Sequence, residues 1–207
     1  MLETLLAMDP LVIASFMGAG ILLNLTPGAD VLFAMASGLA GGWRAGVAAA
    51  IGITLGAGFH LTLAAFGISA ALVALPHAYD VIRYLGAAYL AYLAWRSWTA
   101  APTDATTRGA TRLGPAIRRG FLTNAMNPKV ALFILAFLPQ FTNPDVGPLW
   151  HQILILGLIF ASTGFVINAA YGALAGVLGG KLNAVGGALN RLSAIVFGGL
   201  AARLVFE

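Results

Sequence analysis

Asp30 and Lys129 stand inside long apolar runs, and each lies beside a helix breaker. Asp30 closes the stretch Asn24-Leu25-Thr26-Pro27-Gly28-Ala29-Asp30. Lys129 closes Asn124-Ala125-Met126-Asn127-Pro128-Lys129. Proline has no N–H and clashes with the carbonyl four residues back, so a helix bends or stops at Pro27 and at Pro128. Gly28 is expected to take backbone angles that other residues resist. Carbonyls released near Leu23 and Asn24 become acceptors. The N–H groups that open the next half-helix, near Asp30 and Val31, become donors that favour an anion.

Asn24, Asn124 and Asn127 can donate and accept in the same space, or cap the broken helix ends. Together with Thr26 they make a site with donors for a carboxylate and acceptors for an ammonium, the two groups of an amino acid. Asp30 is then an ammonium partner or a proton carrier, and Lys129 a carboxylate partner or a gating charge. Alternatively the two form a structural ion pair that holds the halves of the chain together. His60 and Asn168 are lesser candidates: His60 as a proton relay or a hydrogen-bonded packing residue, Asn168 as a polar group at membrane depth.

The surroundings of these residues are set by composition. The chain has 207 residues, of which 60% are hydrophobic and 9% charged, with mean hydropathy +0.91. A soluble domain carries about 25% charged residues, so this chain has too little polar surface to cover a globule in water. Its expected solvent is the lipid bilayer. Charge and broken backbone persist in hydrocarbon only where protein or a water-filled cavity surrounds them. Two such interruptions, one in each half, point to a substrate pathway through a membrane.

Other classes are set aside by what is missing. Cysteine is absent and the three histidines are scattered, so no disulfide, metal or other cofactor is expected. No serine elbow, catalytic carboxylate pair or GxxxxGK[ST] loop occurs, so the chain is not expected to be an enzyme or to hydrolyse ATP. A net charge of +4 would suit nucleic acid, but the cations sit at the ends of apolar runs, and no nucleic-acid partner is expected. Met1-Leu2-Glu3-Thr4 lacks a basic region, so the first apolar run is expected to remain in the mature protein.

Six apolar runs predict six transmembrane helices in an all-α fold, with the whole of 1–207 as one domain. They cover about Leu11 to Ala40, Ala45 to Leu75, Val81 to Trp98, Gly120 to Phe141, Leu149 to Leu178 and Leu189 to Leu204. Helices one and four are broken at Pro27 and Pro128. If the spans alternate, eight cations (Arg44, Arg96, Arg108, Arg112, Arg118, Arg119, Lys181 and Arg191) share one side, and Arg83 and Arg203 the other. The positive-inside rule makes the first side cytoplasmic and places both termini in the periplasm.

The chain is also doubled. GILLNLTPGADVLF, from Gly20 to Phe33, aligns without gaps to GFLTNAMNPKVALF, from Gly120 to Phe133. Three spans separate the two windows, so the halves insert with opposite orientation. This predicts two inverted three-helix repeats, at about 8–98 and 117–207, joined by a cytoplasmic linker at about 99–116. Such repeats place a site between discontinuous helices near the midplane. Gly52/Gly56 and Gly172/Gly176 have the spacing of close helix packing, which also fits a homodimer.

At these motifs the chain resembles the LysE/RhtB family of bacterial amino-acid exporters. The resemblance lies in Thr26-Pro27-Gly28-Ala29-Asp30, Gly41-Gly42-Trp43-Arg44-Ala45-Gly46, Gly52-Ile53, Gly56, Gly120-Phe121-Leu122-Thr123-Asn124, Asn127-Pro128-Lys129 and Phe137-Leu138-Pro139-Gln140-Phe141. It implies a small bacterial inner-membrane protein with about six spans. It also implies export of amino acids or derivatives such as threonine, homoserine, homoserine lactone, lysine or cysteine, driven by proton antiport. The family often has Pro-Gly-Pro at the first break; here Ala29 replaces the second proline. The expected function is proton-coupled amino-acid efflux by alternating access. The competing expectations are a passive small-solute channel and a membrane accessory protein that moves nothing.

Overall fold

The computed structural model describes residues 1–68, 78–99 and 108–178, with residues 191, 194, 195, 198, 199, 201 and 202. The regular elements among them are helical: α1 (Leu2–Ala7), α2 (Pro10–Leu25), α3 (Ala29–Leu63), α4 (Ala78–Thr99), α5 (Leu113–Ala125), α6 (Pro128–Leu132) and α7 (Leu149–Leu178). A π-turn at Ala64–Ile68 follows α3. A π-turn at Phe133–Phe137 and a 3-10 turn at Leu138–Phe141 extend α6. The end of the second apolar run, most of the linker and most of the sixth run lie outside the described residues.

Local chemistry sets the helix ends. Asp9 caps α2 by accepting a 2.8 Å hydrogen bond from the Leu11 N–H, with Pro10 in the first helical position, where its missing N–H costs nothing. The 35 residues of α3 would make a rod about 52 Å long if straight. They do not: Gly42 has φ 76° and ψ 177°, a left-handed backbone suited to glycine. A Cβ placed on Gly38 would lie 1.9 Å from the Gly172 carbonyl oxygen, and one on Gly46 would lie 2.5 Å from the same atom. Eight residues along a straight helix are about 12 Å apart. The chain therefore folds back at Gly42 into two arms, 29–41 and 43–63, both packed on α7.

The stretch that contains α3 and the helix α7 are long and apolar enough to cross a bilayer, and in α3 that length is divided at Gly42 between the two arms. The pair formed by α5 and the segment Pro128–Phe141 is a third candidate, bent by 53°. The apolar α2 has 16 residues and is continued, across the break at Pro27-Gly28, by arm 29–41. Large apolar side chains such as Leu55, Phe66, Leu158, Val166 and Val177 point outward. Asp30, Ser37, His60, Asn124, Asn127, Gln152 and Asn168 are buried. That inversion is disfavoured in water and suits lipid, where polar groups must find partners inside the protein.

Two apolar cores lie on either side of the breaks. One is a stack of Phe16, Phe133, Phe137, Phe141 and Phe160, with neighbouring ring centroids 4.8–5.6 Å apart. The other gathers Phe33, Ala34, Ala48, Ala49, Ile53, Ala110 and Ala116. Glycine lets the second group of helices touch backbone to backbone: a Cβ on Gly52 would lie 2.0 Å from the Ile117 carbonyl oxygen, and one on Gly120 2.4 Å from that of Ala49.

The spaced glycines pack helices within the chain. Gly52 and Gly56 face α5, and Gly172 and Gly176 face the turn of α3 at Gly42, so both pairs are filled by the chain's own helices. The same contacts bring the Gly42 turn, residues 108–111 and the C-terminal end of α7 to one end of the molecule, with Arg44, Arg108 and Arg112. At the other end Thr4 Oγ1 lies 3.1 Å from His151 Nδ1. There Gln152 donates to the Asn143 and Gly147 carbonyls at 2.7 and 2.9 Å.

Candidate functional site

At the end of α2 the Thr26 N–H and Oγ1 both donate to the Leu22 carbonyl, at 3.1 and 2.7 Å. Pro27 has no N–H to offer the Leu23 carbonyl. Arm 29–41 then starts from Gly28 with no side-chain cap, so its first N–H groups have no partner within the helix. Gly28 itself has φ −149° and ψ −170°, an extended backbone open to other residues. The expectation that unusual angles require this glycine is therefore wrong. What it supplies is room: a Cβ here would sit 3.5 Å from Lys129 Nζ.

The second break is built differently. The Asn127 N–H bonds the Asn124 carbonyl at 2.8 Å, and Asn127 Oδ1 caps α6 by accepting from the Lys129 N–H at 3.0 Å, with Pro128 in the first position. Capping, one of the two roles expected of the asparagines, is thus filled here by Asn127.

The breaks face each other, and their charges cross over. Asp30 Oδ2 accepts from Asn124 Nδ2 and from Asn127 Nδ2, both at 2.9 Å. Lys129 Nζ donates to the Thr26 carbonyl at 2.9 Å. Each charge is therefore held by polar groups of the opposite break. The direct Asp30–Lys129 ion pair is not the arrangement found. Two neutral amides reach the carboxylate and a carbonyl reaches the ammonium, because these groups sit at the broken backbone itself.

The remaining candidates stand around this crossing. His60 Nε2 lies 3.1 Å from the Asn124 carbonyl. A carbonyl only accepts, so Nε2 carries the hydrogen, and His60 acts as a hydrogen-bonded support behind the break. Asn24 Nδ2 donates to the Phe160 carbonyl and to Thr163 Oγ1, both at 3.3 Å, tying α2 to α7. Asn168 Nδ2 donates to the Gly164 carbonyl at 2.9 Å. Asp30 Oδ1, Asn124 Oδ1, Asn168 Oδ1 and His60 Nδ1 are buried without a hydrogen-bond partner. Such atoms are costly in a packed interior and mark a place where a donor is wanted.

Asn24, Thr26, Gly28, Asp30, Asn127, Lys129 and Asn168 line a cavity of about 10 Å³, with Leu23, Val31 and Val130 as its apolar wall. That is room for about one water molecule. Pro27 and Pro128 shape the breaks; Asn124 and His60 stand behind Asp30. Leu23 and Val31 were expected only for their backbone groups; their side chains line the cavity as well. Val130 and Thr163 were missed by sequence reasoning, and adjacency to Lys129 was the one signal for Val130. Thr163 had none. Among the described residues no group of three or more His, Cys, Asp or Glu is placed to hold a metal. The arrangement brings a carboxylate, an ammonium and an unpartnered amide oxygen to one enclosed space.

Comparison with known proteins agrees with this reading of the motifs. A family model described as LysE type translocator matches residues 21–207. A Vibrio cholerae protein named "Uncharacterized membrane protein" is 33% identical over 174 residues, 83% of this chain and 84% of the relative. The homoserine/homoserine lactone efflux protein of Salmonella typhimurium is 33% identical over 156 residues, 74% of this chain and 75% of the relative. The leucine efflux protein of the same organism is 29% identical over 206 residues, 92% of each chain. No solved structure matches the chain.

Proposed function

Because the chain belongs to the LysE type translocator family, we propose that it exports amino acids or small amino-acid derivatives across the bacterial inner membrane, coupled to protons and by alternating access. The observation that carries this reading is the crossed contact between the two breaks. Lys129 Nζ sits beside Gly28, at the uncapped start of arm 29–41. A cation at a helix N-terminus is electrostatically unfavourable alone, and the two together suit a carboxylate. Asp30 on the other side suits an ammonium.

An amino acid can replace both internal contacts. Its carboxylate takes the place of the Thr26 carbonyl at Lys129, and its ammonium takes the place of the amides at Asp30. A proton on Asp30 removes the charge that the ammonium needs, so proton and substrate exclude each other there. That competition is the basis of antiport.

Alternating access needs a closure on each side of the site. The phenylalanine stack closes the end that carries the Asn143–Gly147 loop. At the arginine end the Arg119 guanidinium lies 5.1 Å from the Phe33 ring centre and donates to the Arg108 and Gly109 carbonyls. Ser37 Oγ accepts from the Ala110 N–H at 3.2 Å. With both closures made, the cavity is too small for an amino acid, so the arrangement described is an occluded one.

The six spans form two inverted repeats, residues 8–98 and 117–207, with the arginine end cytoplasmic and both termini periplasmic. A reciprocal contact supports this. Asn24 of the first repeat packs on Gly164 of the second, and Asn124 of the second packs on Gly56 of the first. Efflux from proteoliposomes, measured with and without an imposed pH gradient, tests the function. Saturable flux that accumulates or depletes substrate against its gradient is expected. Flux that only dissipates gradients would make the protein a channel, and no flux from folded protein would remove transport.

A further inference from the structure

We propose that the chamber accepts ligands of zero net charge, so that its substrates are amino acids with uncharged side chains, and that Asn168 sets this selectivity. The inference rests on the amino-acid export reading and deepens it. Of the described residues that line the cavity, Asp30 is the one acid and Lys129 the one base. A zwitterion uses both, group for group, and leaves the enclosed site neutral. A lysine or glutamate side chain brings a further charge with no counterion. His60 does not line the cavity, and its Nε2–H is committed to the Asn124 carbonyl.

Asn168 brings a neutral side chain from α7 to the same lining. It lies on α7, is 3% exposed, and lines the cavity together with Asp30. Its Nδ2 is tied to the Gly164 carbonyl, and its Oδ1 is buried without a partner. Oδ1 can therefore receive a neutral donor, such as a side-chain hydroxyl or amide. It repels a carboxylate, and it cannot neutralise an ammonium. An uncompensated charge at membrane depth lowers binding by about a hundredfold.

The test uses the full chain in proteoliposomes, exchanging labelled leucine against near-isosteric competitors: glutamine with glutamate, and norleucine with lysine. The neutral member of each pair is expected to compete about a hundredfold better. Competition by glutamate or lysine within threefold of its neutral partner overturns the proposal. Asn168→Asp adds a second acid and is expected to raise the relative competition by lysine at least tenfold; an unchanged ratio in a folded variant removes Asn168 from selectivity. Should that variant not fold, Asn168→Leu, which removes Oδ1, is expected to lower the competition by glutamine relative to norleucine at least tenfold; an unchanged ratio removes Asn168 from selectivity. A thermal-shift panel with the same four compounds reads selectivity without flux. Stabilisation by the neutral members with no flux removes the export reading, while equal shifts within each pair, or no shift from any compound, remove the charge rule.

Discussion

Asp30→Asn separates the charge of this residue from its shape. The substituted amide keeps one oxygen where Asp30 Oδ2 accepts from Asn124 and Asn127 at 2.9 Å. Its nitrogen takes the place of Oδ1, which is buried without a partner on a cavity that also exposes the Asn168 amide. Two hydrogen bonds to a charged acceptor become neutral, a loss of about 2 kcal/mol in stability. A new donor beside unpartnered acceptors offsets part of it. The variant is therefore expected to fold. Its transport is another matter. An ammonium about 4 Å from a carboxylate gains roughly 4 kcal/mol at an effective dielectric constant near 20, so losing that charge costs about a thousandfold in apparent affinity. The assay is counterflow of labelled amino acid into proteoliposomes, with thermal stability in detergent measured on the same preparation. Stability within about 2 kcal/mol of wild type and abolished counterflow are the expected results. Wild-type counterflow from folded Asp30→Asn protein would refute the assignment of the ammonium, and the proton, to this carboxylate.

Lys129→Ala is expected to abolish transport in the same assay while expression and insertion survive, because the Thr26 carbonyl it releases adjoins the cavity; normal flux would free Lys129 from any carboxylate role. Gly28→Ala fits sterically, since the new Cβ would sit 3.5 Å from Lys129 Nζ, yet it occupies the space beside that ammonium. It should fold normally and raise the half-saturating substrate concentration about tenfold, and an unchanged value would contradict a carboxylate pocket there. Gly52→Ala should destabilise by roughly 2 kcal/mol or more, because its Cβ would meet the Ile117 carbonyl oxygen at 2.0 Å. Gly58→Ala, facing open space, is the control and should match or exceed wild-type stability in the same melting experiment. Phe133→Ala removes the ring that contacts Phe16, Phe137 and Phe160. It should let a small hydrophilic solute leak through proteoliposomes, and tight vesicles would argue that the phenylalanine stack is no closure.

Much of the fold was legible in the residues themselves. The breaks at Pro27 and Pro128 follow from the missing N–H and the clashing ring, which act within one helical turn. The separation of the first two runs near Gly41-Gly42 emerges as a reversal at Gly42, where a positive φ suits glycine. The apolar excess announced helices wrapped by lipid. The aligned Asn24 and Asn124 announced that each half would place an amide near its break. Their separate jobs were not legible: Asn24 reaches α7, and Asn124 reaches Asp30.

The sequence by itself determined where the helices stop and which few polar groups must be hidden from lipid, because steric exclusion and the cost of polar groups in hydrocarbon belong to each residue and its near neighbours. Only the tertiary structure decided who satisfies whom. Asp30 takes its amides from residues 94 and 97 positions away, and Lys129 finds a carbonyl 103 positions away. Those distances along the chain close only when α3 lies against both α5 and α7, at glycines where backbones touch. Hydrogen bonding is short-ranged and directional, so its partners are chosen by packing.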